Sequence, residues 1–103
     1  MTTKEKAITK LKLGLAIQKI IDSNKIQNEE HGIQSLRKLA ASSATEYSIV
    51  QKISSGKKDP QFTTIASIIE GFGFTTVEFF TVYDSITDDE LNLPKKKTLV
   101  KKS

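Results

Sequence analysis

The stretch SLRKLAASSATEYSIVQKISSG, residues 35–56, decides the fold of this chain. Apolar side chains recur in it three and four residues apart, the spacing typical of helices that bury one face. The pattern breaks at Ala44 and Thr45, so it predicts two short helices, Leu36–Ser42 and about 46–54, joined by a tight turn. The side chains predicted to face the core are Leu36, Leu39 and Ala40 in the first helix and Ile49, Val50 and Ile53 in the second.

The opposite face of the second helix is polar. At 100° per residue, the side chains that share this face are Tyr47, Ser48, Gln51, Lys52 and Ser55. This face has several hydrogen-bonding groups and one cation, and it has no carboxylate. A helix that reads base edges in a DNA groove presents a surface of this kind.

The remaining sequence predicts three more helices and no strand. The first helix runs from about Leu13 to Ser23 and has a helical extension before it. Gly14 is expected to interrupt the helical pattern near the junction of the two. A polar connection over residues 24–34 follows. A helix over Thr63–Phe72 ends at Gly71 and Gly73. The last helix begins at a capping box formed by Thr75 and Glu78 and continues through Tyr83. The ends of the central pair are predicted from Ser35 as an N-cap and Gly56 as a C′ glycine.

The length and composition of the chain limit the classes of protein to which it could belong. The 103 residues form one domain, which we divide into an N-terminal extension (1–12), a helical domain (13–83) and an acidic, then lysine-rich, flexible tail (84–103). The chain has no cysteine, so it forms no disulfide and supports no thiolate chemistry. No apolar run approaches the ~20 residues that span a bilayer, and the N-terminus lacks a signal-peptide core. We therefore expect a cytoplasmic, nucleoid-associated protein without a membrane partner.

Charge is segregated along the chain, whose net charge is +4. Residues 32–62 hold five basic groups against Glu46 and Asp59, whereas residues 63–94 hold six acids and neither Lys nor Arg. This distribution is typical of a protein that meets a polyanion with one face.

We expect no enzyme activity, cofactor or metal site. His31 has no cysteine partner, and no serine is combined with a histidine and an acid in a nucleophilic pattern. The acids Asp84, Asp88, Asp89 and Glu90 are interpreted as a solvated face.

At this point the chain resembles the phage-repressor-like (Cro/Xre-type) helix-turn-helix family. The matching segments are LGLAIQKII for the first helix, LRKLAASSA for the second, TEYSIVQKISSGKKDP for the recognition helix with its basic loop, and FTTIASIIEGFGFTTVEFF for the last two helices. The resemblance implies an all-α, compact five-helix lambda-repressor-like DNA-binding domain with a helix-turn-helix at its centre.

Several features depart from the family pattern. Ile21 replaces a common arginine, Ser54 replaces a common glutamate, and the connection between the first and second helices is several residues longer than usual. Ala44 stands where a turn glycine is common, so we expect the turn to form without a positive φ. Leu36 replaces a frequent glutamine that contacts phosphate. Glu46 replaces a usual Ser or Thr at the start of the recognition helix, where an acid interacts favourably with the helix dipole.

The docking mode of this family assigns roles to individual side chains. Residues near the start of the recognition helix read base edges, and the preceding helix crosses the backbone. The predicted base contacts are Tyr47, Ser48, Gln51 and Lys52. The predicted phosphate contacts are Ser35, Arg37, Lys38, Ser55, Lys57 and Lys58. Arg37 and Lys38 occupy a first turn, where the dipole disfavours cations, and a phosphate bound there explains their presence.

The sequence thus predicts a sequence-specific double-stranded-DNA-binding protein, a transcriptional regulator expected to repress by occupying a promoter or its own operator. We expect a homodimer, because one half-site offers few base contacts. Its interface would use either Ile8, Leu11 and Leu15 or Phe80 and Tyr83. The alternative is a protein-interaction module, such as an antitoxin or adaptor, with weak or secondary DNA binding.

Overall fold

Five helices build the fold of the computed structural model, which describes residues 1–27 and 32–91. They are α1 (Thr3–Gln27), α2 (Leu36–Ser43), α3 (Tyr47–Ser54), α4 (Phe62–Phe72) and α5 (Thr76–Ser85). No strand occurs in the two described ranges, so the all-α prediction is confirmed there. His31 and the lysines of the predicted C-terminal tail lie outside the described residues.

The helices surround one hydrophobic core. α1 packs against α3 and α5, and α2 packs against α3 and α4. The buried side chains of the core are Leu13, Ala16, Ile17, Ile20, Ile21, Leu39, Ala40, Val50, Ile53, Ile68, Ile69, Phe72 and Phe79. The inward faces predicted for α2 and α3 contribute to this core, with Leu36 and Ile49 half-buried at its edge.

Gly14 does not interrupt α1, which is the first correction to the sequence prediction. A Cβ at this position would lie 2.5 Å from the Ser54 carbonyl oxygen and 2.8 Å from that of Ile53. The glycine therefore allows α1 to pack closely on the C-terminal end of α3. At its other end α1 continues past Ser23 to Gln27, and the Asn24 side chain donates a hydrogen bond of 2.9 Å to the Ile33 carbonyl.

Gly71 is also a site of close packing rather than a helix end. It lies within α4, and a Cβ there would lie 2.9 Å from the Ser43 Cβ atom. The Ser42 hydroxyl donates a 2.7 Å hydrogen bond to the Gly71 carbonyl. α4 ends instead at Gly73, whose φ of 76° closes the helix in the left-handed region.

The caps predicted from the sequence are confirmed. The Ser35 side chain accepts a hydrogen bond from the Lys38 backbone N–H, and Gly56 has a φ of 78° after α3. Thr75 and Glu78 form the reciprocal capping box of α5. Local side-chain chemistry therefore sets these helix boundaries.

Ala44 corrects the prediction that the turn between α2 and α3 forms without a positive φ. It caps α2 at φ 55° and ψ 37°, and its N–H donates to the carbonyls of Ala40 and Ala41. An L-residue in this region costs roughly 1–2 kcal/mol, because Cβ crowds the following carbonyl. The turn geometry is thus kept even though the residue is not a glycine.

Replacing Ala44 with glycine is expected to stabilise the fold. The glycine removes the left-handed strain but loses more backbone entropy, ~0.5–1 kcal/mol, so the net gain is roughly 0.5–1 kcal/mol. Thermal unfolding should show a midpoint several degrees higher, whereas Ala41→Gly, an exposed position inside α2, should lower the midpoint. A lower midpoint for Ala44→Gly would contradict the left-handed turn.

The acidic segment after α5 contributes to the folded body. Ile86 and Leu91, which the sequence interpretation placed in a flexible tail, are buried. The Lys19 ammonium lies 2.9 Å from the Glu90 carboxylate, and this bond lowers the pKa of the Glu90 carboxyl. The packed part of the chain therefore extends from α5 to at least Leu91.

Among the described helices, none is by itself long and apolar enough to cross a membrane. α4 and α5 reach the required length and composition only when taken together, and they are bent by 98° with respect to each other.

Candidate functional site

The exposed face of α3 holds most of the side chains predicted to contact bases. Val50 and Ile53 are fully buried, and their burial fixes the rotational orientation of α3 about its own axis. The opposite side of the helix then carries the exposed residues Ser48, Gln51, Lys52 and Ser55. Within the described residues, the side chains of Ser48, Gln51 and Lys52 have no hydrogen-bond or ionic partner. These groups are therefore available to another molecule.

Tyr47 is placed differently from the rest of this face. It is half-buried and packs against the core at the start of α3. The Arg37 guanidinium lies over its ring, 4.3 Å from the centroid. A cation at this distance from an aromatic face is attracted by the ring quadrupole. The tyrosine thus supports Arg37 and brings the N-terminal end of α2 next to that of α3.

The N-terminal end of α2 carries two exposed cations, Arg37 and Lys38. The Ser35 hydroxyl satisfies one backbone N–H of this turn, that of Lys38, at 3.1 Å. The first turn of a helix has further N–H groups without an intrahelical acceptor, and these attract anions. No acid occupies this turn. The end of α2 therefore combines two side-chain cations with the positive end of the helix dipole.

The loop after α3 extends the positive surface from the other end of that helix. The Lys57 backbone N–H donates a 2.9 Å hydrogen bond to the Lys52 carbonyl, so the loop stays next to the last turn of α3. The Ser55 hydroxyl donates to the same carbonyl at 3.1 Å, and Ser55 caps the helix. Lys57 and Lys58 are exposed. Cations therefore lie beyond both ends of the exposed polar face.

These cations are not neutralised within the described part of the chain. The ion pair found there joins Lys19 to Glu90, which are side chains of α1 and of the segment after α5. No described carboxylate lies within 4.0 Å of the charged groups of Arg37, Lys38, Lys52, Lys57 or Lys58. We refer to these five residues, together with Ser48, Gln51 and Ser55, as the polar surface. It carries a clear excess of positive charge.

The structure adds residues that the sequence interpretation missed. A groove of about 350 Å³ separates the last turns of α1 from the start of α2, and its wall includes Asp22, Lys25, Ser35 and Arg37. Lys25 adds a further cation to the groove wall that also includes Arg37, whereas the carboxylate of Asp22 partly offsets this charge. The sequence placed Lys25 in a connection. The only signal for its position was its three-residue spacing from Asp22, which puts both on one helix face.

The side chains of the polar surface are hydroxyls, an amide and cations, which can form hydrogen bonds and ionic contacts with an anion. Among residues 1–27 and 32–91, no three His, Cys, Asp or Glu side chains come together in a group that could hold a metal ion. Comparisons of the chain with protein-family models, with curated proteins and with solved structures gave no match.

Proposed function

We propose that this protein is a double-stranded-DNA-binding transcriptional regulator in which α2 and α3 form a lambda-repressor-like helix-turn-helix. The observation that carries the proposal is the polar surface: one exposed helix face whose hydrogen-bonding groups are flanked by cations, and these cations have no carboxylate partner among residues 1–27 and 32–91. Such an arrangement matches a ligand that presents base edges between two rows of phosphates.

The dimensions of α3 agree with this proposal. An α-helix with its side chains is ~10–12 Å in diameter and the major groove of B-DNA is ~12 Å wide, so α3, whose eight residues are ~12 Å long, fits into the groove without strain. Ser48 lies in the first turn, which approaches bases most closely in this docking mode. Gln51 is suited to a bidentate contact with adenine, and Lys52 to the O6 and N7 acceptors of guanine.

Phosphate contacts on both sides of the groove would fix the position of α3. Arg37, Lys38 and the free N–H groups of α2 would bind one strand, and Lys57 and Lys58 a neighbouring phosphate of the other side. The Ser35 hydroxyl accepts from the Lys38 N–H and still has its own proton to donate to a phosphate, whereas the Ser55 hydroxyl would have to leave the Lys52 carbonyl to do so. Because Tyr47 lies under Arg37, we assign it mainly to holding that guanidinium, with its ring edge next to a sugar or a thymine methyl. The phosphate contacts give affinity and register without sequence information.

A second copy of the chain completes the proposal. One α3 reads only a few bases, and specific regulators of this kind reach useful affinity by pairing two half-sites about one helical turn apart. The half-buried Phe80 and Tyr83 of α5 and the outer side of α1 are the candidate interface surfaces.

Titration of the full chain against random-sequence duplex DNA at several salt concentrations tests the proposal. With about four phosphates neutralised per subunit, log K should fall against log salt with a slope of roughly −3 to −4. Selection of duplexes from a random pool should then enrich a two-fold symmetric site. Weak binding with a flat salt dependence would overturn the proposal and favour the protein-interaction module instead.

A further inference from the structure

The first turns of α1 form a capped helix whose side chains are largely exposed. We call residues 1–10 the N-terminal arm. The Thr2 backbone N–H donates to the Glu5 carboxylate at 2.8 Å, and the Glu5 N–H donates to the Thr2 hydroxyl at 3.1 Å. These bonds lower the pKa of the Glu5 carboxyl, the Thr2 backbone donor contributing most. The arm is therefore a helix with its own N-cap.

Two lysines of the arm share the face of α1 that meets α3. Lys6, Lys10 and Gly14 are spaced four residues apart, and this spacing places them on one helix face. Gly14 is the point at which α1 packs against the Ser54 carbonyl. The same face therefore continues beyond the end of α3 as Lys10 and then Lys6.

The loop that carries Lys57 and Lys58 begins at this place. A Cβ at Gly56 would lie 2.7 Å from the Leu11 Cδ2 atom, so the residue before the loop contacts the residue after the arm. Since Lys57 and Lys58 follow Gly56 directly, they lie near the C-terminal end of the arm. No described carboxylate lies within 4.0 Å of any of these four lysine ammonium groups.

We propose that the N-terminal arm binds the DNA backbone next to the segment that α3 contacts, with Lys6 and Lys10 extending the row of cations that begins at Lys57 and Lys58. This inference rests on the proposed function and adds a second contact surface to it. Lysine ammonium groups bind phosphates as point charges, so the arm increases affinity and the length of DNA covered, and does not alter base preference.

The test compares two doubly substituted chains of equal net charge. In Lys6→Gln with Lys10→Gln the arm loses the two cations on the face that meets α3 and keeps Lys4. In Lys12→Gln with Lys19→Gln the cations removed lie on the α5 side of α1, where Lys12 lies 4.7 Å from the Tyr83 ring and Lys19 pairs with Glu90. Because Tyr83 belongs to a candidate dimer interface, sedimentation velocity at the titration concentrations must show that this variant has the same oligomeric state as the parent chain. Salt-dependent titration on duplex DNA of ~20 base pairs should show a slope smaller by about 1 to 2 and a dissociation constant roughly 10- to 50-fold larger for the arm variant alone, depending on whether one or both lysines neutralise a phosphate. Hydroxyl-radical footprints of the same variant should lose protected backbone positions in each half-site.

Equal slopes for the two variants would overturn the arm proposal and leave the proposed function intact. So would a lower melting temperature of the arm variant with an unchanged slope, because Lys10 would then only stabilise the C-terminal end of α3. If the unsubstituted chain shows no salt-dependent binding to any duplex, the proposed function and the arm proposal both fail.

Discussion

Replacing Gly14 with alanine should destabilise the fold by about 3 kcal/mol or more. The added Cβ would lie 2.5 Å from the Ser54 carbonyl oxygen and 2.9 Å from its carbonyl carbon. These are backbone atoms of α3, so the clash is relieved only by separating the two helices. Overpacking of a core typically costs 1–3 kcal/mol, and this contact belongs at the upper end because no side chain can rotate away. Urea denaturation of the variant and of the parent chain measures the difference.

The sign of this effect distinguishes the packed glycine from an ordinary helical one. In an exposed helix interior the same substitution stabilises by ~0.8–1 kcal/mol, because alanine has the higher helix propensity. Ser23→Ala, at an exposed position of the same helix, is the matched control and should change stability by less than ~0.5 kcal/mol. Gly14→Ala with unchanged or increased stability would show that α1 and α3 do not approach each other as described.

A weakened contact between α1 and α3 would also displace the polar surface. The Gln18 side chain donates a 2.6 Å hydrogen bond to the Ser54 carbonyl, the same oxygen that approaches Gly14. α1 therefore holds the last turn of α3 through one polar and one steric contact. The position of Lys52 and of the following loop depends on both.

The sequence predicted those features of the fold that are determined locally. The bounds of α2 and α3 follow from the spacing of apolar residues, and their caps follow from Ser35 and Gly56. A capping box needs only Thr75 and Glu78, which lie three residues apart. Each of these signals is contained within one helical turn or two, so no information from distant residues was required.

Glycines in helices could not be interpreted from the sequence because their role depends on a partner helix. Gly14 and Gly71 were predicted to break or end helices, yet each allows a close approach to a helix far away in the chain. Ala44 shows the converse. Its left-handed conformation is imposed by how α2 and α3 pack, against the intrinsic preference of alanine.

The sequence predicted which side of α3 is exposed, but it did not predict which side chains of other helices lie beside that side. Helical phase alone places Ser48, Gln51 and Lys52 on the exposed side of α3. The stacking of Arg37 on Tyr47 joins two helices, and only the tertiary packing of α2 on α3 brings this guanidinium and this ring together. Lys25 was missed for the same reason, since its place in the groove depends on the length of α1.

Removing both cations of the basic loop should cause the largest loss of DNA affinity expected from two substitutions. For the variant with Lys57→Gln and Lys58→Gln we expect a dissociation constant roughly 50-fold larger at about 0.1 M salt, and a salt slope smaller by about 2. The reason is that each lysine that neutralises a phosphate releases close to one counterion, and both ammonium groups are unpaired in the described chain. Fluorescence anisotropy on one labelled duplex at four salt concentrations gives both quantities.

Lys12→Gln with Lys19→Gln again provides the control of equal net charge, because its cations lie against Tyr83 and Glu90 on the α5 side. If binding depended only on overall charge, the two variants would weaken it equally, and the polar surface would have no special role. If the loop determines affinity, only the loop variant should lose about half of its salt dependence. It should keep its base preference, because Ser48, Gln51 and Lys52 are unchanged. A loop variant that binds as tightly as the parent chain would show that DNA does not contact this end of α3.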